Sequence, residues 1–225
     1  MRPRDAATLI LVDRSASPVK VLLGKRHHSH KFMPGKYVFP GGRVEALDRR
    51  IAARAALDAP IESRLKRKTQ RPSGLMSRAL VVAAIRETFE ETGLLLGIDR
   101  AHAPASVTAE GWAALAKAPM PPRLTGIYFI ARALTPPGRP RRFDTRFFTA
   151  DASAITHRID GVVGPDTELV ELVWLPIAEA KQLDMPPITT VALDELEARV
   201  AAGLDRDLPV PYYRMLKHRF VREML

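Results

Sequence analysis

The stretch Arg86-Glu87-Thr88-Phe89-Glu90-Glu91-Thr92-Gly93 constrains this chain more than any other. Its carboxylates fall at i, i+3 and i+4, which on a helix puts all three on one face within about a turn. Like charges so crowded repel one another unless a cation sits among them, and hard divalent ions such as Mg²⁺ favour carboxylate oxygen. Val81, Val82, Ile85 and Phe89 form an apolar stripe that can hold the opposite side against a core. Arg86 stands one turn before Glu90 and can steady its carboxylate, while Gly93 supplies a left-handed stop. The pattern therefore predicts a helix over residues 78–92. A solvated acidic helix face would show the same spacing, so the segment that precedes it decides.

That segment closes on Phe39-Pro40-Gly41-Gly42. Residues 19–23 are β-branched and aliphatic and residues 37–39 are short and β-prone, so both suit a sheet. Two glycines after a proline let the backbone approach a ligand or metal closely. The Gly-Gly turn and the R-E-T-F-E-E-T-G helix together resemble the Nudix hydrolase signature, G-x5-E-x7-R-E-U-x-E-E-x-G-U, where U is a bulky aliphatic residue. Every fixed residue of its second half is present; Thr88 departs at one U position and Leu94 fills the last. The place eight residues before Arg86, where the signature has its first glutamate, holds Arg78, and the stretch from Gly42 to the helix is about thirty residues longer than usual. The first glutamate is not one of the metal-binding carboxylates of the family, so this departure leaves the metal cluster whole.

An insertion at this place, preceded by Phe32-Met33-Pro34-Gly35-Lys36-Tyr37-Val38-Phe39-Pro40-Gly41-Gly42, resembles the peroxisomal-type coenzyme A diphosphatase branch of the family. Residues 142–148 and 168–175 look like that branch too, and the resemblance spans roughly residues 7–196. Against the bacterial coenzyme A motif the spacing holds, with Leu22, Leu23, Arg26, Gly35 and Phe39 in register. Gly24, His27, Lys31 and Tyr37 depart from it.

The resemblance implies a Mg²⁺-dependent hydrolase, with Mn²⁺ as a substitute, that splits a diphosphate linkage in a nucleoside-diphosphate-linked compound. Coenzyme A or an acyl-coenzyme A is the first substrate it suggests; nucleoside diphosphate sugars, dinucleotides and capped RNA ends are the others. It implies Glu87, Glu90, Glu91 and the Gly42 carbonyl as the metal set, with Arg86 orienting a carboxylate. Arg26 and Lys31 are then expected at the substrate. The family often draws a further acid from outside the signature, and Glu168, just before a predicted strand, is the candidate for base or extra ligand. Family members often pair, which makes a homodimer an expected assembly. A non-catalytic binding module of the same fold is the rival class, but it has no need of three crowded carboxylates.

Arg142, Asp144 and Arg146 alternate along a predicted strand and share one face. They could grip a substrate phosphate or form a salt-bridged ladder, and the sequence leaves both open. His27, His28 and His30 lie at i, i+1 and i+3 without a fourth partner motif, which suits loop residues better than a zinc site.

The charge of +10 is concentrated: residues 43–78 hold ten Arg or Lys against four Asp or Glu, or +6. No aromatic interleaves the basic run at 64–71, so it lacks a base-stacking platform, and nucleic acid ranks last among the ligands. The absence of cysteine suits a reducing compartment, and no stretch approaches the roughly twenty apolar residues of a membrane helix. A soluble cytoplasmic enzyme is expected.

Strands are predicted at residues 8–12, 19–23, 125–134, 142–149 and 169–175, the middle two joined as a hairpin through Pro136-Pro137-Gly138. Helices are predicted at 48–57, 109–117, 177–183 and 191–202, with Thr108 as a cap. The expected architecture is one α/β domain over residues 1–225. It is an α/β/α sandwich with a mixed sheet and a basic helical insertion at 45–77.

Overall fold

The computed structural model describes residues 2–29, 33–98 and 100–225. Among these, the strands are β1 (Arg4–Asp13), β2 (Lys20–Arg26), β3 (Tyr37–Val38), β4 (Gly41–Arg43), β5 (Leu94–Leu96), β6 (Tyr128–Leu134), β7 (Phe143–Asp151), β8 (Ile155–Arg158), β9 (Leu169–Pro176), β10 (Pro211–Leu216) and β11 (Arg219–Met224). The α-helices are α1 (Ala46–Ala52), α2 (Ala59–Lys66), α3 (Gly74–Thr92), α4 (Ala109–Leu115), α5 (Ile177–Ala180) and α6 (Pro187–Ala201).

β1 runs through the middle of the molecule because its centre, Leu9-Ile10-Leu11-Val12, is apolar on both faces, as a strand covered on both sides must be. Leu9 and Leu11 join the core under α3, while Ile10 and Val12 join a second core under α5 and α6. The main sheet has the order β11-β10-β6-β7-β1-β2-β3, with β4 added to β1 and β9 to β2. It is mixed: β1 lies parallel to β7 and β10 parallel to β6, and the remaining pairs are antiparallel. The α/β/α sandwich expected from the sequence is what forms, and β6 and β7 are the expected antiparallel hairpin. β5 and β8 make a small separate sheet at the end of α3.

The inserted segment is α1, α2 and their connections. Both helices pack on α3, through Ile51, Ala52, Ile61 and Leu65. As a result α3 is buried nearly all round, beyond the single stripe expected: Leu80, Ala83 and Ala84 are as buried as Val81, Val82, Ile85 and Phe89. Ser73 caps its start by accepting from the Met76 N–H at 3.2 Å. Gly93 ends it at φ 75°, the left-handed stop, with its N–H donating to the Phe89 carbonyl at 2.8 Å. Thr88, the exception in the helix signature, is fully buried and donates its hydroxyl to the Ala84 carbonyl at 2.8 Å. A branched side chain fits there because its one polar atom is satisfied within the helix.

Half of the ten basic residues at 43–78 are spent on the protein itself. Arg54 donates to the carbonyls of Ala116, Ala118 and Pro119 near the end of α4, and Arg64 to those of Arg206 and Asp207. Lys66 and Arg78 share Glu62, and Lys68 pairs with Glu223 at 2.9 Å. The basic run is a set of internal clasps before it is a surface for any ligand.

Candidate active site

The last two turns of α3 face β4, and Gly42 is where they meet. A side chain built on Gly42 would place its Cβ 2.2 Å from Glu87 Oε1, so a larger residue there would push that carboxylate aside. Arg86 is 4% exposed and organises the cluster. It reaches Glu87 at 2.9 Å, Glu90 at 2.7 Å and the Arg43 carbonyl at 2.9 Å. Its remaining contacts are Nε to Asp48 Oδ1 at 2.9 Å and Nη2 to Asp48 Oδ2 at 3.1 Å. Burial opposes the guanidinium's charge, but Asp48, Glu87 and Glu90 outweigh it and hold its pKa above the ordinary value.

Asp48 corrects the placement of the signature's first acid. Counting back from Arg86 lands on Arg78, but passing over the five residues that follow Gly42 lands on Asp48, and it is Asp48 that grips Arg86. The acid is thus present, shortened by one methylene, and the additional residues fall after it rather than from residue 45. Arg78 does something else: it donates to the Ala52 carbonyl at 3.1 Å and to Glu62 at 3.1 Å, tying α1 and α2 to α3. Asp48 also accepts from the Glu45 N–H at 2.8 Å, which seats the first turn of α1.

Burial disfavours the ionised form of all three carboxylates. Burial raises the Glu87 pKa to about 7, with the Glu90 and Asp48 charges adding to the effect against Arg86. Burial raises Glu90 as well, against the pull of Arg86. Glu91 is pushed furthest, by burial and then by the charges of Glu168 and Glu87. Its Oε2 is buried without a hydrogen-bond partner, an expensive state for a carboxylate.

Glu87, Glu90, Glu91 and Glu168 open together onto one cavity of about 380 Å³, whose other walls are Val107, Gly161, Val162 and Thr167. Glu168 pairs there with Arg26 at 2.9 Å. Glu168 thus shares the cavity with the carboxylate cluster, while Arg26 is engaged by Glu168. Lys31 and His30 lie outside the described residues. Val107, Val162 and Thr167 went unnoticed in the sequence because they sit in irregular segments that no spacing rule singles out.

Arg142, Asp144 and Arg146 form the ladder of the two alternatives rather than an open phosphate grip. Asp144 takes both Nε and Nη2 of Arg132, at 2.8 and 2.6 Å, and Arg146 at 3.3 Å. Arg146 is 3% exposed and also holds Asp5 at 2.7 Å. Burial lowers its pKa against the attraction of Asp144, the mark of a core ion pair. Arg142 donates to the Thr135 carbonyl at 3.1 Å at the hairpin's base. Arg132, which completes the ladder and stacks 4.3 Å over Tyr212, was missed because β6 otherwise reads as apolar.

Among the described residues no group of three or more His, Asp or Glu side chains is gathered closely enough to hold a metal ion as they stand. The donor set nonetheless fits a hard divalent cation. It offers carboxylate oxygens only, one buried without a partner, beside a backbone kept bare by Gly42.

An α/β/α sandwich with a carboxylate helix set against a glycine turn defines the Nudix fold. Comparison with solved structures agrees. The chain is similar to a Nudix hydrolase from Alicyclobacillus acidocaldarius at 28% identity and a TM-score of 0.67, over 88% of this chain and 92% of that one. It is similar in fold to the Nudix domain of Shewanella oneidensis NrtR, solved with ADP-ribose, at 14% identity and a TM-score of 0.50, over 89% and 90% of the two chains. A Nudix hydrolase structure from Listeria monocytogenes aligns at 15% identity and a TM-score of 0.50, over 90% and 97%. No protein-family model matches the chain. These likenesses show the Nudix fold, and the one at 28% identity supports a Nudix hydrolase.

Proposed function

We propose that this protein is a divalent-metal-dependent diphosphatase that hydrolyses a nucleoside-diphosphate-linked compound, with coenzyme A or an acyl-coenzyme A as the first substrate to test. The observation that carries the reading is the convergence of Glu87, Glu90, Glu91 and Glu168 on one cavity, with Arg86 fixing two of them and Glu91 Oε2 left unpartnered. Glu87, Glu90 and Glu91 would hold the metal, Mg²⁺ first and Mn²⁺ as its substitute, beside Gly42. Bound there, it would lower the pKa of a water and offset charge building on the phosphate oxygens.

The chain's own residues supply positioning. Asp48 fixes Arg86, and Arg86 fixes Glu87 and Glu90. Glu168, half-exposed at the cavity and paired with Arg26, would take a proton from an attacking water. Water attacks one phosphorus of the diphosphate, the bridging oxygen leaves with the other phosphate, and two phosphorylated products result. Such a reaction asks the protein mainly for orientation and charge. ADP-ribose, the ligand of the Shewanella domain, is the competing substrate.

The test is hydrolysis of a panel comprising coenzyme A, an acyl-coenzyme A, ADP-ribose, a dinucleotide and NADH, with Glu90→Gln beside the native chain. Metal-dependent cleavage of the coenzyme A compounds, lost in the variant, is the expected outcome. Cleavage of ADP-ribose alone keeps the mechanism and discards the substrate. No cleavage of any member with Mg²⁺ or Mn²⁺ would overturn the reading.

A further inference from the structure

Arg14, Arg26, Arg64, Arg78, Arg86, Arg132, Arg146, Arg158, Arg206, Arg214 and Arg222 all pair with acids. Arg2, Arg4, Arg43 and Arg49 are exposed and form no ion pair among the described residues, yet all four line one cavity of about 450 Å³. The cavity lies where the start of β1, the end of β4 and the first turns of α1 meet. Its acids are Asp5 and Glu45. Asp5 already binds Arg146 Nη1 at 2.7 Å, which leaves Glu45 as the acid not committed to a buried arginine.

Four guanidinium groups around one concavity repel one another. The repulsion is stronger where the protein walls exclude solvent. The fold tolerates this although it pairs many of its other arginines with acids. The guanidinium fork matches phosphate oxygens two at a time, and several forks converging from different elements are how a phosphate is held without a metal. The cavity's volume lies in the range that encloses small-molecule ligands.

We propose that this cavity is a second, metal-independent site that binds a phosphate-bearing anion through Arg2, Arg4, Arg43 and Arg49. It stands beside the carboxylate cluster, separated from it by one side chain. Arg86 donates to Glu90 at 2.7 Å and to the Arg43 carbonyl at 2.9 Å, and Gly42, against Glu87, is the residue before Arg43. The site is complementary to the first in charge: one takes a cation, the other an anion. This assignment does not depend on the hydrolytic reading, because it rests on arginines that the carboxylate chemistry does not use.

The test is isothermal titration of inorganic pyrophosphate into the metal-free protein in EDTA, which silences any metal-mediated contact. Native protein should bind one equivalent, with an affinity that falls as salt rises. Arg4→Gln and Arg49→Gln, made singly at exposed positions, should each weaken binding about tenfold or more, and Glu90→Gln should leave it within about twofold of native or tighten it. A melting midpoint unchanged from native would show that the arginine variants are folded. Arg49→Lys, which keeps the charge and loses the fork, should bind between native and Arg49→Gln. No binding by the native protein would overturn the proposal. So would equal binding by native, Arg4→Gln and Arg49→Gln, or a loss confined to Glu90→Gln.

Discussion

Replacing Asp48 should damage this protein twice, in stability and in catalysis, although Asp48 never reaches the cavity. The carboxylate is fully buried and takes three hydrogen bonds: Arg86 Nε at 2.9 Å, Arg86 Nη2 at 3.1 Å and the Glu45 N–H at 2.8 Å. Removing one partner of a buried ion pair ordinarily costs about 3–5 kcal/mol, because a charge is left behind. Here Arg86 keeps Glu87 and Glu90. Asp48→Ala is therefore expected at the lower end, about 3 kcal/mol, and Asp48→Asn, which still accepts from Glu45, nearer 2 kcal/mol. Urea unfolding reads this as a lower midpoint at unchanged slope.

The catalytic cost follows from Arg86 losing its anchor while it holds Glu87 and Glu90. Partners that orient metal ligands are ordinarily worth about 10–100-fold in activity. The Asp48→Ala fall should appear in kcat and in the metal concentration required. Arg78→Ala is the control. It removes a bond to Glu62 and one to the Ala52 carbonyl, about 1 kcal/mol in sum, and should leave kcat within about twofold. An Asp48→Ala protein within 0.5 kcal/mol of native and fully active would refute the assignment, as would Arg78→Ala proving the more damaging of the two.

Gly42→Ala should keep the fold and lose at least about tenfold in metal-dependent activity, because the new methyl displaces Glu87; native-like turnover would count against the glycine argument. Metal-free protein should lose stability as pH rises from about 4.5 to 7, since Glu87 is held at about 7 when folded and near 4.5 when unfolded, so that the unfolded state gives up its proton first. The loss attributable to Glu87 is roughly 3 kcal/mol, Glu90 and Glu91 act in the same direction, and Mg²⁺ should offset it; melts across that range with and without metal decide. Arg26→Gln and Glu168→Gln should be non-additive in kcat/KM, because the two side chains are paired at 2.9 Å, and strict additivity would separate them.

The carboxylate cluster was legible because helix spacing converts directly into a shared face, and β1, β2 and the β6–β7 hairpin because their apolar runs are bounded by turn residues. Asp48 was obscured by direction of counting: from the helix the insertion shifts the frame, whereas from Gly42 the frame is intact. The C-terminal hairpin was invisible for a local reason. Lys217 and His218, at φ 45° and 65°, make the turn between β10 and β11 in left-handed conformations that ordinarily call for Asn or Gly. Nothing in Leu216-Lys217-His218-Arg219 announces it. The ladder of Arg132, Asp144, Arg146 and Asp5 depends on the register between β6, β7 and β1, which no single segment encodes.

The central claim is that Glu87, Glu90 and Glu91 are a metal site poised for diphosphate chemistry. The direct measurement is Mg²⁺ and Mn²⁺ titration into the apoprotein by calorimetry, with Glu90→Gln and Glu91→Gln alongside and hydrolysis followed in the same samples. The account predicts that native protein binds metal, that each variant binds it at least about tenfold more weakly, and that turnover falls in step with occupancy. Turnover by native protein that persists in EDTA, or metal binding unchanged in both variants, would contradict it.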